Sequence, residues 1–394
     1  MPEAARARTL LVLHQGGGQI RGSEEVLLGF LGGVDRAAFR PVVVHTDPVL
    51  AAPLAALGVD AELHDLPEIL LSRGEVKLPL AGWLRALRDV TALARAEGAE
   101  LVLASGGGPC QLGVPVARRL GIPLVCLLHH PAPAYLHRAW LTRHADEMVF
   151  ISRYTAEHTR ERTGRGGVVI APGIDVHGRF VPPARRDPLP RLRMGIARDE
   201  VVFAQVGALV PHKEHTALLE AFARVRRIRP GARLLVIGGG PEEARLRERA
   251  TALGIAEAVT FTGRVDDVVP YFQHVIDVNV LASAEEGLGL VNVEAAACRV
   301  PTVAADASGV RESVVHGQTG LLFPPGDVAA LASFMLRLGR DPGLRARLGA
   351  GGRAFAVERF SPERFQARMA AVLERAISAN AAISPALELE AAHA

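Results

Sequence analysis

The chain has 394 residues, 49% of them hydrophobic and 22% charged, with a formal net charge of +3. That composition excludes a disordered chain, and so small a charge excess, with no aromatic-interleaved basic stripe, argues against a nucleic-acid binder. The length exceeds what one ordinary core fills, so two domains of roughly 150–200 residues each are expected. No apolar run reaches the roughly 18 residues a membrane span needs, and the first apolar stretch suits a strand better than a signal peptide. Cys110, Cys126 and Cys298 are scattered and odd in number, which points to a reducing cytosol and no disulfide framework. Lys77 and Lys213 are the only lysines among many arginines.

In chain order, strands are expected at Thr9–His14, Pro41–His45, Leu101–Ser105, Pro123–His129, Glu147–Ser152 and Val168–Ile170. Helices are expected between them at Ser23–Gly32, Leu80–Glu97 and Pro109–Leu120. Near-continuous apolar strands alternating with helices mark a parallel sheet covered on both faces. The stretch "PPARRDPLPRLR" (Pro182–Arg193) reads as a linker, because prolines and arginines crowd it. The alternation then restarts with "VVFAQVG" (Val201–Gly207), "RLLVIGGG" (Arg233–Gly240), "AVTFTG", "DVNVLAS" and "PTVAA". The reading is two doubly wound α/β domains. Ligands bind beyond the carboxyl ends of such strands, so two facing sheets would place the site in a cleft between them. The expected division is 1–180 for an acceptor domain, 181–198 for the linker, 199–360 for a donor domain, 361–378 for a final helix packing back toward the first domain, and 379–394 for a tail.

The stretch "SAEEGLGLVNVEAAACRVP" sets Glu286 and Glu294 eight residues apart among small and apolar residues. Gly287 and Gly289 let backbone N–H groups approach a ligand, and the helix that follows favours an anion at its start. The carboxylates are then suited to sugar hydroxyls on either side of a phosphate. The alternative is one helix-terminal carboxylate and one solvated glutamate. In "VGALVPHKEHTALLEAF", Lys213 stands between a glycine turn and a helix, where it could neutralise phosphate as a point charge or simply be solvated. The helix from Leu80 carries Trp83, Leu84 and Leu87 beside Arg85, Arg88 and Arg95. Its ordinary reading is an amphipathic helix on the sheet, and the rival is peripheral membrane contact. No Asp-x-Asp triplet occurs, so no metal site is expected.

Together these features resemble the retaining GT-B glycosyltransferases of family 4, the glycosyl transferases group 1. The resemblance is strongest over Val201–Asp327. It rests on the Glu286/Glu294 spacing, "EGLGL", "FTGRV", "GQTGLLFPPGD" and, in the first half, "RGSEEVLL" at Arg21–Leu28. It implies two Rossmann-like domains facing a central cleft and transfer of a hexose from a nucleotide diphosphate sugar to an acceptor hydroxyl. The acceptor would be a glycan, a lipid-linked molecule or a small molecule. No metal or other cofactor is implied, and the enzyme would be cytoplasmic or peripheral at the inner face of a membrane. By the same resemblance Glu294 binds ribose hydroxyls and Glu286 the donor sugar. The amides of Leu288, Gly289 and Leu290, after Gly287, line sugar and diphosphate. Lys213 holds the diphosphate and Gly22 approaches it from the first domain. Arg264 and Val265 sit beside the base, and His129 occupies the place of the active-site histidine, with His130 its rival.

The chain departs from the family pattern at four places. Ala208 replaces an arginine that shares the diphosphate with the lysine, and Glu214, Arg299 and Pro172 replace glycine, glycine and asparagine. Arg264, Arg299 and Arg311 are candidates to compensate for the lost cation. Two further readings stay open: a catalytically impaired nucleotide-sugar-binding protein, and a nucleotide-sugar epimerase of the same fold.

Overall fold

A computed structural model describes residues 6–20, 22–71 and 76–391. Arg21, which opens the expected "RGSEEVLL" loop, lies outside them. The chain forms two compact units, 1–173 with 362–394, and 174–361. The division falls at Gly173/Ile174 rather than at 180/181.

The strands of the first unit are β1 (Arg8–His14), β2 (Phe39–His45), β3 (Asp60–Leu63), the short β4 (Leu70–Leu71) and β5 (Val76–Lys77), β6 (Ala99–Ser105), β7 (Leu124–Leu128), β8 (Glu147–Phe150) and β9 (Val168–Val169). Seven of them make one sheet in the order β3-β2-β1-β6-β7-β8-β9, parallel throughout, while β4 and β5 pair separately as an antiparallel ribbon. The central strands are apolar on both faces because helices cover both. Leu10 to Leu13 and Leu101 to Ala104 are all buried. Chain order reverses direction between β1 and β6. At such a switch point the loops leaving adjacent strands diverge and leave room for a ligand.

The second unit holds β10 (Val201–Val206), β11 (Ala232–Ile237), β12 (Val259–Gly263), β13 (Val278–Leu281), β14 (Thr302–Ala305) and β15 (Gly320–Phe323). Their order is β12-β11-β10-β13-β14-β15, all parallel, so the switch point lies between β10 and β13. Phe203, Leu234, Val236, Val278, Val280 and Val303 pack one core with helices His215–Ile228 and Val328–Arg340.

Two expectations change. The arginine-rich stretch 182–193 is built into the second unit instead of linking two domains. It contains a short helix, Leu189–Arg193. Arg191 and Arg186 grip Asp277 at 2.6 and 2.8 Å, and the same carboxylate accepts from Val202 N. The "GQTGLLFPPGD" stretch contains the edge strand β15. The last helix runs Pro362–Ala391, well past 378, and it belongs to the first unit. There Phe365, Met369, Val372 and Leu373 are buried, Phe365 sits edge-on to Phe30 at 6.3 Å, and Gln366 donates to Gly29 O and Phe30 O.

Candidate active site

In the second unit the site grows from the carboxyl ends of β10 and β13. Gln205, on β10, is fully buried. Its amide donates to Lys213 O at 2.8 Å and accepts from Ala282 N at 3.1 Å. One side chain thus ties the loop after β10 to the loop after β13. Ala284 N adds a second tie to His212 O. These ties bring the two charges together: Lys213 Nζ lies 2.5 Å from Glu286 Oε1, with the side chains only 20% and 10% exposed.

After Glu286 the chain turns sharply into the helix Leu290–Ala297. Gly289 sits at φ +79°, and a Cβ there would also press on Asn292 Nδ2. Both conformation and space therefore require glycine. Gly287 lies against Gly309, where a Cβ would fall 2.0 Å from Gly287 O, and Gly309 N donates to Glu286 O at 3.0 Å. The loop is pinned from beneath by a buried amide ladder. Asn279 Nδ2 donates to Asn292 Oδ1, and Asn292 Nδ2 donates to Ser313 Oγ, both at 3.1 Å. The first two amides of the helix, Leu290 and Val291, have no intrahelical acceptor, while Asn292 N donates to Gly289 O at 2.9 Å; with the helix dipole the free pair favours an anion. Glu294 is half-buried on the same helix. Val265 and the exposed Arg264 follow β12, and Arg264 packs beside Gly239 at the end of β11.

Ala208 is half-buried in the loop after β10 and supplies no charge there. Of the three arginines expected to replace the missing one, Arg299 is excluded by geometry. It lies past the far end of the helix, nine residues from Leu290, about 14 Å along the axis. Its φ of +61° is the strain a side chain incurs in a helix-ending position suited to glycine. Glu214 has the same problem at φ +53°. Arg311 lies two residues from Gly309 but is clasped by Asp306, at 2.6 Å from Nε and 3.1 Å from Nη2. Arg264 makes no hydrogen bond or ion pair among the described residues.

His215 begins the helix after Lys213. It is buried, neither ring nitrogen has a partner among the described residues, and burial together with Lys213 and His212 lowers its pKa to about 4.

In the first unit the site lies at the switch point between β1 and β6. His14 ends β1, Ser105 ends β6 and His129 follows β7. His14 Nδ1 and Ser105 Oγ are 3.2 Å apart, and Ser105 Oγ and His129 Nε2 are 3.1 Å apart. On the other side His14 Nε2 is 3.4 Å from Glu24 Oε1, and Ser23 Oγ donates to Glu24 Oε2 at 2.9 Å. Glu24 lies on the helix Gly22–Gly33, which the exposed Gly22 opens. Burial alone would raise the Glu24 pKa, but hydrogen bonds from His14, its own backbone and Ser23 hold it at about 2. Burial lowers His129 to about 3, with the neighbouring His130 and His14 imidazoles acting the same way and Glu24 opposing. His129 is therefore a neutral imidazole. His130 is exposed and stands outside this row.

Sequence reasoning singled out the glutamates, the glycines, Lys213 and His129; the structure brings Lys213 to Glu286 and sets His129 against Ser105. Sequence reasoning missed Gln205, Asn279 and Asn292, whose signal is a buried amide inside an apolar run, and it missed the row Glu24–His14–Ser105, whose members come from three elements.

A phosphate-favouring helix start, a lysine–glutamate pair and a Rossmann strand order suit a nucleotide diphosphate, and comparison with known proteins narrows this to a nucleotide-sugar transferase. The model of the glycosyl transferases group 1 matches residues 192–355, and that of glycosyltransferase family 4 matches 20–177. The chain is 32% identical over 294 residues to a GDP-mannose-dependent alpha-(1-6)-phosphatidylinositol monomannoside mannosyltransferase of Mycolicibacterium smegmatis, covering 70% of this chain and 76% of the relative. It is 30% identical over 308 residues to a D-inositol 3-phosphate glycosyltransferase of Salinispora arenicola, covering 68% and 67%. In fold it is similar to Anabaena HepE in complex with UDP-glucose, with TM-score 0.82, 23% identity and 93% and 99% coverage. It is similar also to sucrose-phosphate synthase of Thermosynechococcus elongatus, with TM-score 0.77, 20% identity and 94% and 100% coverage. The chain belongs to the glycosyl transferases group 1, the GT-B glycosyltransferases of family 4, and it is a nucleotide-sugar glycosyltransferase.

Proposed function

We propose that the enzyme moves a hexose from a nucleotide diphosphate sugar to an acceptor hydroxyl with retention of configuration and without a metal. The observation that carries this is the Lys213–Glu286 pair beside the glycine loop and the helix start. A fixed cation and aligned amides there can take the charge that develops on a departing diphosphate, the work a metal does elsewhere. Among the described residues no group of three or more His, Cys, Asp or Glu could hold a metal ion.

In the proposed reaction the bond from the sugar's anomeric carbon to the phosphate oxygen breaks as the acceptor oxygen bonds to the same face. The acceptor's proton passes to the departing phosphate oxygen, so no general base is assigned. Lys213 and the amides of Leu288, Gly289 and Leu290 hold the diphosphate. Glu286 accepts from donor-sugar hydroxyls and Glu294 from the ribose. Arg264 and Val265 flank the base. In the first unit His129 receives a substrate hydroxyl, and Gly22 leaves the start of its helix open to substrate.

The names of the relatives favour a polyol acceptor of the inositol kind, free or lipid-borne. A cytoplasmic enzyme working at a membrane face fits that acceptor. Among the described residues no helix is long and apolar enough to cross a membrane. The helix Leu80–Ala96 buries Ala86, Leu87, Val90 and Ala94 but leaves Leu80 and Leu84 54% and 59% exposed, with Arg85 and Arg88 beside them. The test is a transfer assay over uridine, guanosine and adenosine diphosphate sugars with inositol and inositol phosphate acceptors, with and without EDTA, and the product's anomeric configuration read by NMR. Retention with EDTA-insensitive turnover is expected. Inversion, or loss with EDTA restored by magnesium, would overturn the proposal. Release of a sugar epimer without any acceptor would favour an epimerase instead.

A further inference from the structure

The row Glu24, His14, Ser105, His129 is a directed hydrogen-bond chain, and we infer that it sets which nitrogen of His129 carries the proton, leaving Nδ1 bare to accept a substrate hydroxyl. Glu24, His14 and Ser105 are then positioning residues. The inference rests on the proposed role of His129 at a substrate.

All four side chains are at most 4% exposed, so each polar atom answers to its neighbours. An ionised carboxylate can only accept, and Glu24, held at about 2, is ionised. The His14 nitrogen facing it, Nε2, therefore carries hydrogen. At the other end His129 Nδ1 has no partner among the described residues, so a proton there would be orphaned and the ring's one proton belongs on Nε2, facing Ser105. The Ser105 oxygen accepts it at 3.1 Å. The hydroxyl's own proton then goes to His14 Nδ1, 3.2 Å away. With its single proton on Nε2, His129 presents a lone pair at Nδ1. The opposite order would leave a buried N–H orphaned, which native structures tolerate less well than an under-satisfied acceptor.

The consequence is chemical selectivity. A bare Nδ1 takes a hydroxyl or amide hydrogen. It offers nothing to a carboxylate or to a fully ionised phosphate oxygen. The chain would therefore favour a neutral polyol group at that point over an anionic one.

The direct test is long-range proton–nitrogen correlation NMR on histidine-labelled, ligand-free protein at pH 8, with His129 assigned by a His129→Gln variant. A single His129 tautomer protonated on Nε2 is expected. Nδ1 protonation, or averaging between tautomers, would overturn the inference without touching the glycosyltransferase reading. Ser105→Ala should shift the Nε2–H signal and lower kcat/KM about tenfold, the worth of one hydrogen bond to substrate. Ser105→Thr, which keeps the hydroxyl, should restore both. Nucleoside diphosphate affinity should stay unchanged throughout. If the tautomer is as expected but Ser105→Ala leaves the kinetics untouched, His129 meets no substrate and the positioning role fails.

Discussion

Glu286→Gln should strengthen binding of a bare nucleoside diphosphate while weakening sugar transfer. Without ligand, Glu286 holds Lys213 at 2.5 Å. A diphosphate must take the lysine away from it. Gln keeps the shape and an acceptor oxygen, so the loop held by Gly309 N and Ala284 N stays in place, but the competing charge is gone. The pair is partly exposed, so its net worth is about 1 kcal/mol and not its gross Coulomb energy. Releasing it should tighten UDP and GDP binding about fivefold. In transfer the loss runs the other way. A hydrogen bond from a sugar hydroxyl to a carboxylate is worth roughly 1.5–3 kcal/mol, so kcat/KM should fall about ten- to hundredfold. Calorimetric titration with both diphosphates and initial rates with the corresponding sugars read the two effects separately. If affinity and turnover fall together, Lys213 is not the diphosphate cation in competition with Glu286. If neither moves, the opening glutamate is not a sugar ligand.

His215→Leu should stabilise the protein by about 1–2 kcal/mol at pH 7.5, because it removes two orphaned polar atoms, and urea denaturation would show it. It should also reduce acid lability. The folded pKa of about 4 lies below the ordinary 6.5, so between those values the unfolded chain binds a proton the folded one refuses. Stability therefore falls as pH drops from 6.5 to 4, by up to about 3 kcal/mol for this residue, and the variant should show a shallower fall. Arg299→Gly should relieve the left-handed strain and raise stability by roughly 0.5–1 kcal/mol in the same assay; no gain would mean that packing at this helix end already compensates. Ala208→Arg should raise nucleoside diphosphate affinity about tenfold, since Arg299 lies past the far end of the helix and Arg311 is occupied by Asp306. A neutral or harmful result, joined by a loss in Arg264→Ala, would show that Arg264 already fills the place.

The two parallel sheets were legible because their central strands are buried on both faces and read as unbroken apolar runs. The strand β3, "DAEL", was not, since an exposed edge strand carries no such run. The linker misled for a physical reason. Prolines and arginines are what a solvated connector uses, but here two of the arginines neutralise one carboxylate, Asp277, that no nearby residue in sequence announces. At the site, glycine spacing made the loop around Glu286 readable because backbone approach demands small residues. Gln205 and the Glu24–His14–Ser105 row were unreadable because their partners lie 77, 10 and 91 residues apart in sequence, and only the fold brings them together.

The last helix has a consequence for the order in which the protein is made. Ile174 N donates to Phe360 O at 2.9 Å, so the chain enters and leaves the second unit at neighbouring points. That unit is one uninterrupted stretch, 174–361, whereas the first unit waits for 362 onward. Phe365, Met369, Val372 and Leu373 are core residues of the first unit, each contributing roughly 1.5–3 kcal/mol of burial. During synthesis, then, the half whose strands emerge first is the half that finishes last. The donor-binding half can close while its elder neighbour still lacks part of its core. A ribosome-bound chain ending at 361, tethered through a linker long enough for all of 174–361 to clear the exit tunnel, should carry a second unit able to bind nucleoside diphosphate and a first unit still open to protease.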